Sequence, residues 1–199
     1  MKATKLKFCI LTTLTIIFGQ LGTTLPVYSQ PITPGKNDTG TIINQNGNQF
    51  NIEGGTHNGS NLFHSFDQFK VETNQTANFL STPKTRNIFG RVTGGNASMI
   101  NGLIQVIGSN SNLFLMNPAG IMFGPNASLN IPASFSATTA TGIGFNNDNF
   151  WFKAMETNNY SKLVGNPSGY RFNQDKLGQI GIRSVNWGKK RKSTGSVVE

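Results

Sequence analysis

Few residues in this chain are equipped for chemistry. His57 and His64 are the only histidines, and Cys9 is the only cysteine. Neither histidine stands at a metal-ligand spacing from a cysteine. The nearest carboxylates, Glu53, Asp67 and Glu72, fall on other turns or faces of the local pattern, so no metal centre is expected. His64-Ser65, with Asp67 two residues on, brings together the residue types of a hydrolytic triad. Neighbours on a strand point to opposite faces, which separates His64 from Ser65 and argues against that chemistry. Gly94-Gly95, the Gly120 and Gly124 pair and Gly142-Ile143-Gly144 do not open helices, so they read as tight β-corners and not as phosphate loops. No pair of acids has a convincing spacing for glycoside hydrolysis. No catalytic residue and no cofactor are therefore assigned. What remains is the pentapeptide Asn117-Pro118-Ala119-Gly120-Ile121 after an apolar run. Pro118 fixes φ for a type I or II turn, and Gly120 permits a positive φ where the chain re-enters a strand. The Asn117 side chain can bond the backbone two residues on. The pentapeptide reads first as a corner and second as a contact for a partner.

The elements that carry these residues follow from composition. Glycine is abundant at 23 residues and phenylalanine at 15, while charged residues make up only 13%. Glycine and asparagine supply turns, and Phe, Ile and Val between them favour short strands. The chain reads as all-β. Residues 31–48 are polar and turn-rich, with one short strand expected at Thr41–Ile43. From Gln49 onward, short apolar runs alternate with turns. Between residues 100 and 140 the runs recur about every eight residues, joined by GSNS (108–111), NPAG (117–120) and GPNA (124–127). An antiparallel sandwich of hairpins and a parallel β-helix of three short strands per coil both satisfy this rhythm. LIQVI and LFLM lack clean alternation, which suits a parallel sheet better, so the pattern favours the β-helix. Val106, Leu113, Leu115, Ile121, Phe123, Leu129 and Ile131 are the expected inward positions. The aromatic segment 145–175 reads as an extra-helical flap or side-hairpin lying against the flank of the β-helix and covering its apolar edge.

The two ends make the charge. The net charge is +9, yet residues 31–182 hold nine Lys/Arg against seven Asp/Glu, a balance of +2. A nucleic-acid partner would need a basic face on the domain itself, and none is legible. Residues 1–29 have the three-part pattern of a signal peptide: Lys2, Lys5 and Lys7, then the apolar run Phe8–Phe18, then Pro26 and small residues before a cut between Ser29 and Gln30. The apolar run is too short to span a bilayer as a helix, and no stable membrane insertion is expected after cleavage. A retained anchor is the alternative. The mature chain then has no cysteine, so no disulfide supports it. Residues 30–182 are expected to form the β-helical domain and residues 183–199 a disordered basic tail around Lys189–Lys192.

Residues 103–140, LIQVIGSNSNLFLMNPAGIMFGPNASLNIPASFSATTA, resemble the haemagglutination-activity domain of two-partner-secretion exoproteins, the family of the filamentous haemagglutinins and related adhesins. The family motif Asn-Pro-Asn-Gly-Ile stands here as Asn117-Pro118-Ala119-Gly120-Ile121, with alanine in place of the second asparagine. Asn61–Phe69 resembles the family's early strand, and Ile88–Gly95 the segment that precedes the motif. The resemblance covers about residues 35–165. A second family motif, Asn-Pro-Asn-Leu, has no counterpart between residues 75 and 100. The resemblance implies a right-handed parallel β-helix that is not an enzyme, exported through the periplasm and outer membrane to the medium or cell surface. It implies recognition by the periplasmic domains of a partner outer-membrane β-barrel transporter, and it leaves room for a surface polysaccharide or host-cell ligand. The family's long repeat continuation is missing, which suits a truncated product and a genuine short protein equally. A self-standing adhesive protein and, further off, a β-helical polysaccharide-active enzyme are the competing readings.

Overall fold

The computed structural model describes residues 31–36, 39–173 and 178–183. Its strands are β1 (Ile32–Pro34), β2 (Thr41–Asn46), β3 (Gln49–Gly54), β4 (Thr56–Asn58), β5 (Asn61–Phe69), β6 (Thr76–Leu80), β7 (Asn87–Val92), β8 (Ser98–Ile100), β9 (Leu103–Ile107), β10 (Asn112–Met116), β11 (Ile121–Phe123), β12 (Ser128–Asn130), β13 (Phe135–Thr138), β14 (Gly142–Phe145), β15 (Phe150–Lys153), β16 (Pro167–Arg171) and β17 (Ile180–Ile182). A single 3-10 turn, Tyr160–Lys162, is the one helical element among the described residues. No helix there is long and apolar enough to cross a membrane.

Corners every few residues wind the strands into a parallel β-helix of three faces. The first face stacks β3, β6, β9 and β12, and the second stacks β5, β7, β10 and β13. The third starts as a single Val71–Ile100 bridge and continues through β8, β11 and β17. Each coil advances one rung, so like positions stack: Leu62 beside Ile88, Ile88 beside Leu113, Leu113 beside Phe135. These four are buried, as are Phe50, Ala77 and Ile104 on the first face. Burying one such large apolar side chain contributes about 1.5–3 kcal/mol of transfer free energy. Asparagines stack too. Asn87 Nδ2 donates to Asn61 Oδ1 at 3.0 Å and Asn112 Nδ2 to Asn87 Oδ1 at 2.8 Å, a ladder that satisfies buried amides coil by coil.

Three expectations need correction. Leu129 occupies the inward row Phe50–Ala77–Ile104–Leu129, yet it is 42% exposed because no described strand lies beyond β12. Ile131, just past β12, is only partly buried against the same core. The short strand at Thr41–Ile43 is the start of a six-residue strand, β2, paired antiparallel with β3 through a two-residue Gly47-Asn48 loop in which Gly47 has a φ of 56°. Glycine at the first central position is a hairpin signal that apolar periodicity overlooks. β4 folds back on β5 in the same manner through Gly59, whose φ is 58°, and β1 adds a third antiparallel strand at this end. The coils themselves are parallel throughout.

The aromatic segment forms a separate three-stranded antiparallel sheet, β15-β14-β16. It lies against the flank of the coils, as the sequence suggested, but what it covers is the outward side of the second face and not a sheet edge. There Phe63 stacks on Phe89 with centroids 5.2 Å apart, and Phe89 on Phe114 at 4.8 Å. Phe145, Phe152 and Ile143 pack down on this row to make a second core. Both sides of LFLM are therefore covered, which accounts for its missing alternation. On the uncovered first face, Ile107 of LIQVI is 43% exposed. The expected signal peptide and the expected tail beyond Arg183 lie outside the described residues. Arg183 itself still donates its backbone N–H to Phe123 O at 2.8 Å.

Candidate functional site

Asn117-Pro118-Ala119-Gly120 makes the corner between β10 on the second face and β11 on the third. Gly120 N donates to Asn117 O at 3.0 Å, closing a four-residue turn with Pro118 and Ala119 at its centre. Pro118 sets the φ of the first central position. Ala119 is not among the residues with positive φ, so the turn is not type II, and alanine fits where the family motif has asparagine. Gly120 has a φ of 119°, and a Cβ there would stand 3.0 Å from Gln179 O. That combination calls for glycine.

Asn117 holds the corner from inside. It is 1% exposed. Its Oδ1 accepts from Ala119 N at 3.0 Å, the bond two residues on that the sequence suggested. Its Nδ2 donates to Asn96 O at 3.0 Å and to Ser98 Oγ at 2.9 Å, tying the corner to the coil below. From above, Gly178 N donates to Pro118 O at 3.1 Å and Ile121 N to Gln179 O at 2.9 Å. Ile121 is fully buried. Of the five motif residues, only Pro118 and Ala119 face outward to any extent.

They border a groove of about 620 Å³, lined from the coils by Val92, Gly95 and the motif, and from the flap side by Thr141 and Met155. Met155 is 59% exposed. A turn of small residues beside an uncovered methionine offers shape and apolar surface to a polypeptide partner, and no nucleophile or titratable pair.

The histidines do something else. His64 points into the solenoid, in the row His64–Gly90–Leu115–Ala137, while Ser65 points outward to Arg91. Alternation on the strand separates them as expected. Its Nδ1 lies 3.2 Å from Thr41 Oγ1, and its Nε2 is buried without a partner among the described residues. Burial, with a smaller contribution from His57, lowers its pKa from 6.5 to about 3. No cluster of three or more His, Cys, Asp or Glu capable of holding a metal occurs among the described residues.

One residue was missed by sequence reading. Arg91 lies inside the apolar run IFGRV yet is 5% exposed. Its Nη1 donates to Lys153 O and Glu156 O, both at 2.7 Å, and to Ala154 O at 3.3 Å, while Nε donates to Ser65 Oγ at 3.3 Å. It fastens the flap to the second face. Burial lowers its pKa and the Tyr160 hydroxyl opposes that; Tyr160 in turn is raised by burial, with Arg91 pulling it back. A lone charge in an apolar strand was the available signal.

Against known proteins, residues 30–197 match the TPS secretion domain. The chain is 32% identical over 92 residues to the heme/hemopexin-binding protein of Haemophilus influenzae, a match covering 46% of this chain and 10% of that protein. The chain thus spans about a tenth of the curated relative it matches. No solved structure matches it. With its parallel coils, its motif corner and a match over residues 30–197, the chain belongs to the TPS secretion domain family, the N-terminal secretion domains of two-partner-secretion exoproteins.

Proposed function

We propose that the domain is the export address of an adhesin-like exoprotein, read in the periplasm by the recognition domains of an outer-membrane β-barrel transporter. The observation that carries this reading is the family match over residues 30–197. The corner at Asn117–Ile121 and the groove beside it are the surface offered to the transporter. Asn117, Gly120 and Ile121 shape that corner, and Pro118, Ala119 and Met155 present it. Residues 1–29 act as the signal peptide and are cut between Ser29 and Gln30, a reading supported by Lys2, Lys5 and Lys7, the apolar run Phe8–Phe18, and a family match that starts at residue 30. The protein works by binding and not by catalysis, and a surface polysaccharide or host-cell component is its ligand.

The test is export from cells that co-express the partner transporter. Ala119→Arg and Met155→Asp change the groove without touching the bonds of Asn117, so secreted protein should fall while the melting temperature holds. Asn117→Ala and Gly120→Val should lower both. Undiminished export of Ala119→Arg and Met155→Asp would remove the groove from recognition. Undiminished export of a folded Asn117→Ala protein would remove the corner as well.

A further inference from the structure

A second cleft lies at the other border of the second face, where the chain turns from first face to second. Successive coils contribute Ser60, residues 83–86 and Asn110, and the end of the flap contributes Gly165 and Asn166. The cleft measures about 470 Å³. The connection in the second coil, Ser81–Arg86, is two residues longer than Gly108–Ser111 above it, and it carries Lys84 and Arg86.

Both cations are exposed, and among the described residues neither side chain has a hydrogen bond or an ion pair. No acid lines the cleft. On a body whose charge is nearly balanced, two uncompensated cations on one short loop form a local field. A flexible surface loop would dissipate it, but this frame is fixed. Arg86 N donates to Ser60 O at 2.8 Å, and Ser111 Oγ donates to Thr85 O at 2.6 Å. Across the cleft, Asn61 Nδ2 holds Gly165 O at 2.8 Å, and Asn87 Nδ2 reaches Asn166 Oδ1 at 3.5 Å. Asn166 thereby spends its carbonyl oxygen on the asparagine ladder and keeps its amide hydrogens to donate. Thr85, which also lines the cleft, is 4% exposed, and its Oγ1 has no partner among the described residues.

We propose that this cleft binds a saccharide bearing an oxyanion, through Lys84 and Arg86 to the charged group and through Ser60, Asn110 and Asn166 to sugar hydroxyls. The charge-assisted bonds of a guanidinium and an ammonium suit sulfate or carboxylate oxygens. The hydroxyl and amide lining, with Pro83 as its one apolar side chain, suits a polyhydroxylated ligand and not a flat apolar one. The volume exceeds what a bare oxyanion would fill. The site is separate from the groove at the motif, so a bound sugar and a docked transporter do not compete for one surface.

The experiment uses the secreted chain with its basic end, Lys189–Lys192, intact. Calorimetry with a carrageenan-derived tetrasaccharide, which carries sulfate and no carboxylate, a galacturonate oligomer and inorganic sulfate separates the sources of the oxyanion. The double variant Lys84→Ala/Arg86→Ala should weaken the preferred saccharide by about tenfold or more, the equivalent of two lost charge-assisted contacts. A second protein with Lys189, Lys190, Arg191 and Lys192 changed to alanine should bind within about twofold of the parent. Tighter binding of the tetrasaccharide assigns sulfate, and tighter binding of the galacturonate assigns carboxylate. Should the double variant fail to fold, Asn110→Glu keeps both cations, adds an acid to the cleft, and should weaken binding to a similar degree. Three results would overturn the proposal: no saccharide bound by the parent, unchanged affinity in a folded cleft variant, or inorganic sulfate binding as well as either saccharide.

Discussion

Protonating His64 would place a charge inside the solenoid among Phe66, Phe79 and Leu62, with Thr41 Oγ1 as the ring's hydrogen-bond partner among the described residues and His57 close enough to oppose the charge. The folded protein therefore keeps the ring neutral to about pH 3, while the unfolded chain takes up a proton near the ordinary value of 6.5. A depressed folded-state pKa gives stability that is fully present above pH 6.5 and is lost as pH falls from 6.5 toward 3. The full amount is on the order of 5 kcal/mol. His64→Leu removes the titration. Thr41 Oγ1 keeps Thr39 Oγ1 at 2.8 Å and Ser65 N at 3.1 Å, so no buried hydroxyl is stranded. Denaturant melts at pH 7 and pH 4.5 should show a smaller acid loss for His64→Leu than for the parent. Equal losses would place the acid sensitivity elsewhere.

Among the elements, the flap depends on Arg91 and the coils on their inward rows. Arg91→Met keeps the length of the side chain but strands the carbonyls of Lys153, Ala154 and Glu156, at a cost of about 2–4 kcal/mol. Proteolysis should then cut first within residues 145–172, and uniform cutting along the chain would show that Arg91 does not fasten the flap. Leu115 is fully buried while Leu129 is 42% exposed. Leu115→Ala should cost about 2–5 kcal/mol, and Leu129→Ala less than about 1 kcal/mol. The contrast shows what the sequence could disclose. Strand spacing and corner chemistry were legible because Asn, Gly and Pro at residues 108–111, 117–120 and 124–127 have local conformational reasons. Inward position was legible too, since Leu129 does take its row. Burial was not, because it depends on what stacks above and on whether a flap lies outside. The antiparallel pairing of β2 and β3 was missed for a related reason: its signal is the Gly47 turn, and the polar residues Asn44–Asn46 hid the full length of β2. At the corner, the Asx bond and the need for Gly120 could be read from residue type, whereas the hold of Asn117 on Asn96 and Ser98 requires the coil below.

At the scale of the whole molecule, two thirds of the perimeter is built from neighbours close in sequence. Leu62 meets Ile88, and Ile104 meets Leu129, each about one coil away along the chain. A stack of this kind is nearly one-dimensional, so each coil can form on the one before it. The third face breaks the rule. Ile121 pairs below with Ser98 and above with Ile180, and the whole flap lies between β13 and β17. Closing that rung requires a far longer loop than any other, and loop closure slows the formation of non-local pairs. Settling the flap on Phe63, Phe89 and Phe114 shortens that loop, so β17 is expected to join β11 late. Gly178 and Gln179, which bond Pro118 and Ile121, arrive with β17, so the motif corner is complete only once that long-range pairing has formed. In an early folding intermediate Asn117 would already grip the coil below it while Pro118 O and Ile121 N still met water.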